Sequence, residues 1–259
     1  MTTDAYAFIY DDFVSDRKYE RELAAIEARL AMLDVSGRVG KLTLFRSAKD
    51  LIQNMVRQGV GTVVLVGNDH TLDKAMWFLP DLGCTVGYIP ITGPSRVAEL
   101  LGIPVGPAAC DVLAARLMES VDIGRIDDRY FLTELALERT SAVIEVDGRF
   151  TISPVVGGSV FIRNLGSNRE GMPESDARDG LLELVIRPRP EPVGRFRRPK
   201  PIAETSLFMQ TGEITSADPV DVVADNHVVN GFRFTVGIEP RKLRIITGRG
   251  RRLSGRGLQ

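Results

Sequence analysis

The sequence predicts an α/β protein in two parts. An N-terminal three-layer α/β domain with a parallel sheet precedes a β-rich domain, an antiparallel sandwich. Through residue 121, short apolar strands alternate with helix-forming segments, which is typical of a parallel sheet covered by helices. After residue 124 the helix-forming segments stop, and strand-like runs joined by turns follow one another.

The first half supplies four strands and five helices. Apolar residues at Leu23, Ile26, Leu30 and Leu33 lie on one face of a helix. Every residue over 62–66 is apolar or β-branched, as expected of a strand covered on both faces. The predicted strands are 5–10, 41–45, 62–66 and 85–91, and the predicted helices are 16–34, 48–58, 71–79, 95–103 and 109–121.

The second half carries a strong hairpin signal at Asp147-Gly148, which stands between two strand-like runs. We expect three regions along the chain: an α/β domain over 1–124, a β-rich domain over 125–246, and a flexible basic tail over 247–259.

Composition narrows the function classes. The formal net charge of −1 gives no general attraction to nucleic acid, so we expect none as a partner. Cys84 and Cys110 fit neither a CxxC pair nor a disulfide framework, which predicts buried structural thiols in a reducing compartment. With no signal peptide and no run of about 18 apolar residues, we expect a cytoplasmic protein that meets membranes only peripherally.

One polar turn stands out. The strand over 62–66 ends at Gly67, and the residues Gly67–Thr71 read GNDHT before a helix-forming segment. Strand, tight turn and helix form a common phosphate-binding layout, because N–H groups at a helix N-terminus bind anions. Such turns normally carry more glycine, so this turn alone fits a phosphate loop, an altered one or an ordinary turn.

Three further blocks follow in order: IPITGPSRVAELLGIP at 89–104, VDIGRIDDRYFL at 121–132 and DARDGLLELVI at 176–186. With the GNDHT turn, they resemble the diacylglycerol kinase catalytic-domain family. That family includes bacterial soluble lipid kinases and is related in fold to NAD kinases and phosphofructokinases. Its GGDGT motif aligns with residues 67–71, where Gly67, Asp69 and Thr71 match.

The resemblance implies ATP-dependent phosphoryl transfer to a lipid hydroxyl, with ATP and Mg²⁺ as cofactors. It implies a nucleotide and a lipid as ligands, and an anionic membrane surface and a second copy of the chain as further candidate partners. The residues it assigns are Gly67, Asn68, His70, Thr71, Gly93 and Ser95 to the nucleotide, Asp69 and Asp225 to catalysis, and Asp176 and Asp179 to a metal.

The chain also departs from the family pattern. Asn68 and His70 replace two motif glycines, and the family's GTGND aligns with residues 92–96, where Pro94 removes a backbone donor. The family's DGE aligns with Asp225–His227, and its opening Asn-Pro and glycine motif is missing. These departures support a second hypothesis, a catalytically inactive nucleotide- or lipid-binding protein on the same fold, that is, a pseudokinase.

His70 has two interpretations. If its position requires a positive φ, the imidazole strains the loop by about 1–2 kcal/mol; alternatively, its ring donates to a phosphate. His70 and His227 are the two histidines of the chain and both lie in altered motifs, so they could form a shared site with Asp69 and Asp225, although two unrelated loop substitutions are the favoured interpretation.

Other charged groups also have two interpretations. Asp11 and Asp12 follow the first strand, where a ligand could bind, but solvated turn acids are favoured. Asp176 with Asp179 fits either a cation site or a turn cap. The Pro- and Arg-rich segment 187–201 fits either anionic headgroups or a solvated loop.

Overall fold

The computed structural model describes residues 5–42, 47–154, 157–166, 175–189 and 204–253. It divides the chain into two compact units: Met1–Val121 with Arg241–Leu253, and Asp122–Pro240 with Ser254–Gln259. The chain therefore returns to the first unit after Pro240, whereas the boundaries expected from the sequence treat the regions as consecutive.

The first unit contains a parallel sheet in the order β2-β1-β3-β4, and Arg244 and Ile245, near the C-terminus, pair beside β4. Its four complete strands are β1 (Ala5–Tyr10), β2 (Gly37–Lys41), β3 (Val60–Gly67) and β4 (Thr85–Pro90). Its helices are α1 (Glu20–Met32), α2 (Ala48–Arg57), α3 (Asp69–Met76), α4 (Arg96–Leu101) and α5 (Ala108–Ala115), with short 3₁₀ turns at Asp12–Ser15, Arg17–Tyr19 and Leu79–Leu82. The central strand β3 is buried along almost its whole length, which confirms a strand covered on both faces.

Two predicted elements of this unit need comment. The strand expected at 41–45 falls mostly on 43–45, which lie outside the described residues; the described part of this edge contains the largely exposed strand Gly37–Lys41. The helix expected over 109–121 ends at Ala115, and Met118 opens strand β5. Arg116 ends that helix in the left-handed conformation (φ 51°), a stop that usually marks a glycine and that the sequence does not signal here.

The second unit is antiparallel and strand-rich, as predicted. Its strands are β5 (Met118–Ile126, which begins in the first unit), β6 (Arg129–Phe131), β7 (Glu134–Thr140), β8 (Val143–Val146), β9 (Phe150–Ile152), β10 (Gly158–Arg163), β11 (Leu182–Arg187), β12 (Thr205–Met209), β13 (Thr211–Ala224) and β14 (His227–Ile246). The core of this unit is apolar and includes Phe131, Leu137, Ile162, Leu184 and Phe234. The predicted hairpin joins β8 to β9, with Asp147 and Gly148 at φ 50° and 63°.

The C-terminal segment packs on the first unit through residue 253. The backbone N–H groups of Gly248 and Arg252 donate to carbonyls of α4 at 2.9 and 2.7 Å, and Leu253 is buried. Part of the expected flexible tail is therefore ordered by packing. The rest of it, 254–259, and residues 190–203 of the basic segment lie outside the described residues.

One stretch, Arg96–Ala115, has the length and mean hydropathy (1.5) of a membrane span, although none was expected. The structure divides this stretch into α4 and α5, and half of it is buried. A buried pair of helices in a folded unit passes the same test, so the stretch is weak evidence for a span.

Cys84 and Cys110 are buried free thiols, and burial raises the pKa of each to about 11.

Candidate functional site

The GNDHT turn is a capped helix start. Asn68 is the N-cap of α3, and its Oδ1 accepts from the backbone N–H of Thr71 at 3.1 Å. The hydroxyl of Thr71 accepts in return from the backbone N–H of Asn68 at 3.0 Å. This reciprocal capping box satisfies two N–H groups that a phosphate loop would leave open to its ligand.

Gly67 is required here by packing. A Cβ built on Gly67 would lie 2.1 Å from Oγ1 and 2.8 Å from Cβ of Thr71. The bare face of this glycine is therefore covered by a side chain of its own turn. A substrate phosphate could approach that face only if Thr71 moved.

Thr71 connects the turn to the end of β1. Its hydroxyl donates to Oδ2 of Asp11 at 2.6 Å, and the two residues are 0% and 3% exposed. Oδ1 of Asp11 accepts from the backbone N–H of Asp12 at 2.7 Å. The ammonium of Lys74 lies 3.2 Å from both oxygens of Asp11. Asp11 is thus a buried, neutralised carboxylate, and the expectation of a solvated turn acid at this position is wrong.

Asp69 joins three elements of the first unit. Its Oδ1 accepts from the hydroxyls of Tyr88 on β4, at 3.1 Å, and of Ser95. Its Oδ2 accepts from the backbone N–H groups of Arg96 at 2.9 Å and Val97 at 3.4 Å, at the start of α4. Both oxygens are therefore engaged, and burial with the Asp69 contact raises the pKa of Tyr88 far above its ordinary value.

The other predicted nucleotide residues have unstrained backbones. His70 lies in the first turn of α3 and is exposed, and neither it nor Asn68 has a positive φ. The backbone strain considered for His70 is not present, because this residue has a helical backbone conformation. Ser95 caps α4 by accepting from the N–H of Ala98 at 3.0 Å, whereas Gly93 has no atom closer than 3.6 Å to an added Cβ.

Asp225 is an anchor within the second unit. It occupies the turn between β13 and β14 with φ 51°. Its carboxylate accepts from the backbone N–H groups of Leu132, Thr133 and Glu134 at 2.8, 2.8 and 3.2 Å, and from the hydroxyl of Thr133 at 2.5 Å. Burial raises the pKa of Asp225, and the four hydrogen bonds oppose that rise. The carboxylate ties the hairpin to the start of β7.

The predicted metal pair lies in a turn of the second unit. Asp176 accepts from the N–H of Arg178 at 3.0 Å, and Asp179 accepts from the N–H of Leu181 at 2.9 Å, which are turn-forming contacts. The buried Asp122 holds this turn by accepting from the N–H of Gly180 at 2.7 Å. Within the described ranges, no group of three or more His, Cys, Asp or Glu side chains could hold a metal. A cation at Asp176 and Asp179 stays a prediction.

The structure therefore brings some predicted residues together. Asp69 contacts Ser95 directly, and Asn68 contacts Thr71. Asp225 and His227 belong to the second unit, as do Asp176 and Asp179.

Sequence reasoning missed Lys74 and Tyr88. Lys74 follows Thr71 by three residues in a helix, so helical spacing could have pointed to it; Tyr88 reaches Asp69 across the sheet and carries no local signal.

No protein-family model matches the sequence. Two solved structures of diacylglycerol kinases from Bacillus anthracis, one of them described as putative, superpose on 96% of the chain with TM-scores of 0.76 and 0.78, and the chain covers 98% and 99% of them. The chain has the diacylglycerol kinase fold. This confirms the resemblance seen in the sequence blocks. At 15% and 14% identity, these two diacylglycerol kinase structures establish the fold alone.

The chain is also similar in sequence to a protein of Pseudomonas aeruginosa that is described as "Probable lipid kinase YegS-like". The two are 23% identical over 243 residues, which span 76% of this chain and 80% of the relative. The diacylglycerol kinase fold and this relative support a lipid kinase-like protein.

Proposed function

We propose that this lipid kinase-like protein binds a lipid ligand and transfers no phosphate through the GNDHT turn. The fold and the lipid kinase relative support the lipid class. The absence of phosphate transfer is inferred from the contacts of Asp69. Its two carboxylate oxygens accept four hydrogen bonds from Tyr88, Ser95 and the start of α4.

The fold family implies ATP and Mg²⁺, and the residues present do not fit them. Magnesium takes carboxylate oxygens that are open to it, but Asp69 holds α4 and Asp11 is neutralised by Lys74. A phosphate loop needs bare glycine backbone, and the one glycine of this turn is covered by Thr71.

The second candidate function is ATP-dependent phosphoryl transfer to a lipid hydroxyl. Its support is the similarity to a probable lipid kinase over three quarters of the chain, together with Gly67, Asp69 and Thr71, which match the GGDGT motif of the family that the sequence resembles. On this alternative, the hydrogen bonds of Asp69 rearrange when nucleotide binds.

Co-sedimentation with lipid vesicles, calorimetry with ATP and ADP in Mg²⁺, and a phosphate-transfer assay on a panel of lipid alcohols separate the two. We expect the chain to bind lipid vesicles and to transfer no phosphate. Transfer that depends on Asp69 would establish the kinase function, and a chain that binds no lipid would overturn the proposed one.

A further inference from the structure

Three neighbouring strands of the second unit end around a small basic pocket. It has a volume of about 260 Å³ and is lined by Arg139 of β7, by Gly157–Ser159 at the start of β10, and by Arg187–Arg189 at the end of β11. Strand β10 pairs with both neighbours, with Gly158 opposite Thr140 and Ser159 opposite Arg187. The register thus places the guanidinium-bearing residues of two strands beside glycine backbone of the third.

A β-bulge supplies the first arginine. Between the pairs Gly158–Thr140 and Val160–Leu137, β7 has two residues, Glu138 and Arg139, where β10 has only Ser159. Arg139 takes the left-handed conformation there, with φ 50°, which is a strained backbone for a non-glycine residue. Bulges redirect side chains, and such strain collects at functional positions. Here the redirected side chain lines the pocket.

The second arginine lies over bare backbone. A Cβ added to Gly157 would lie 3.3 Å from Cδ and 3.5 Å from Nη1 of Arg189, and Gly157 itself has φ 77°. A side chain at this position would crowd the guanidinium group. The glycine therefore lets Arg189 approach the main chain closely at the edge of the pocket.

The pocket carries uncompensated positive charge. Arg187 is paired with Glu204 and lies 5.1 Å from the ring centroid of Phe161, so it is held in place and largely neutralised. Arg139 and Arg189 are exposed, and within the part of the chain that the structure describes neither forms an ion pair. Two positive charges thus belong to a pocket whose lining also includes Ser159.

We propose that this pocket binds a phosphate group, either the phosphomonoester of a lipid headgroup or free phosphate. The planar guanidinium fork matches phosphate oxygens in pairs. The volume is below the usual range of about 300–1,000 Å³ for drug-sized ligands, which suits a headgroup rather than a whole lipid. This pocket specifies a phosphate group as the part of the lipid that the protein would recognise. The inference rests on the proposed lipid binding only where the phosphate is that of a lipid headgroup.

The test uses the full chain and three double variants. Arg139→Gln with Arg189→Gln removes both charges, Arg139→Lys with Arg189→Lys keeps charge without the fork, and Arg149→Gln with Arg178→Gln is a charge-matched control at exposed positions elsewhere in the unit. Inorganic phosphate is titrated by calorimetry at low salt. Phosphatidylcholine vesicles, plain or containing phosphatidic acid or phosphatidylglycerol, are tested by co-sedimentation, and thermal melts check folding.

We expect the glutamine double variant to bind phosphate at least about tenfold more weakly, the lysine variant to be intermediate, and the control to equal wild type. Preference for phosphatidic acid vesicles, with competition by free phosphate, identifies a lipid headgroup; phosphate binding without vesicle binding identifies free phosphate. The proposal is overturned if wild type binds neither probe, or if the glutamine variant binds as the control does. ATP-dependent transfer would contradict the proposed function without touching this site.

Discussion

The hydroxyl of Thr71 donates a 2.6 Å hydrogen bond to the carboxylate of Asp11, which lies 60 residues earlier in the chain. Both groups are buried, and Lys74 supplies the counter-charge. The contact joins the end of β1 to the first turn of α3. A turn whose sequence pattern points to phosphate binding is thereby occupied by its own side chains.

Gly67→Ala should destabilise the first unit. The new Cβ would meet Oγ1 of Thr71 at 2.1 Å and force that side chain off Asp11. We expect a loss of about 2–4 kcal/mol in the free energy of unfolding by urea denaturation, from overpacking and a broken buried hydrogen bond. Gly93→Ala is the matched control, because its Cβ has no neighbour within 3.6 Å. Equal stability of the two variants would show that Thr71 does not cover Gly67.

Asp69 should matter for stability in a graded way. Asp69→Ala removes the acceptor of the buried Tyr88 hydroxyl and of the start of α4, at a cost of about 2–4 kcal/mol. Asp69→Asn should cost only about 1 kcal/mol, since its amide oxygen can still accept from Arg96 while the Tyr88 and Ser95 hydroxyls turn to accept from the amide. The measurement is chemical denaturation of both variants. An alanine variant as stable as wild type would contradict the structural role.

Asp225 should behave as an anchor. Asp225→Ala leaves the N–H groups of Leu132, Thr133 and Glu134 without their acceptor, so we expect about 2–4 kcal/mol lower stability and faster hydrogen exchange at these amides. Hydrogen-exchange mass spectrometry measures the local effect. Asp221→Ala, at an exposed position of β13, is the control. If only lipid turnover changed, the residue would be catalytic instead.

Asp147 should make stability depend on pH at the acid end. Hydrogen bonds from the backbone N–H groups of Thr211 and Gln210 hold the pKa of Asp147 below its ordinary value. The contribution of this group is therefore complete above the unfolded pKa of about 3.9 and is lost as pH falls through the lower folded value.

Thermal melts of wild type and Asp147→Asn from pH 6 downwards measure this dependence at roughly half-unit steps. We expect the stability difference between the two to change below about pH 4. The exposed Asp218→Asn serves as a control. A constant difference across the whole range would show that the Asp147 carboxylate is not held by the N–H groups of Gln210 and Thr211.

Local patterns predicted much of the fold. The Asp147-Gly148 turn does form a hairpin, and the strand that contains 62–66 is buried along almost its whole length. The helix expected over 109–121 is too long, because α5 ends at an arginine in the left-handed conformation and Met118 begins a strand. That strand depends on tertiary pairing, which a single sequence does not display.

The sequence predicted the position of the candidate site but not the hydrogen bonds that its carboxylates make. The strand-turn-helix pattern located Gly67–Thr71, and the Asn68–Thr71 cap spacing was open to a capping interpretation. The contacts of Asp69 with Tyr88 and Ser95 span 19 and 26 residues, and that of Asp11 with Thr71 spans 60. Such partners depend on how the strands align, so the sequence alone left these acids available for catalysis.

The most direct test of the central claim is phosphate transfer from radiolabelled ATP, in Mg²⁺, to a panel of lipid alcohols by wild type and by Asp69→Asn. If Asp69 has only a structural role, neither protein should transfer radiolabel to lipid above the protein-free blank, although both remain folded. Label incorporated by wild type and lost in Asp69→Asn would contradict the claim and establish a kinase that uses this carboxylate.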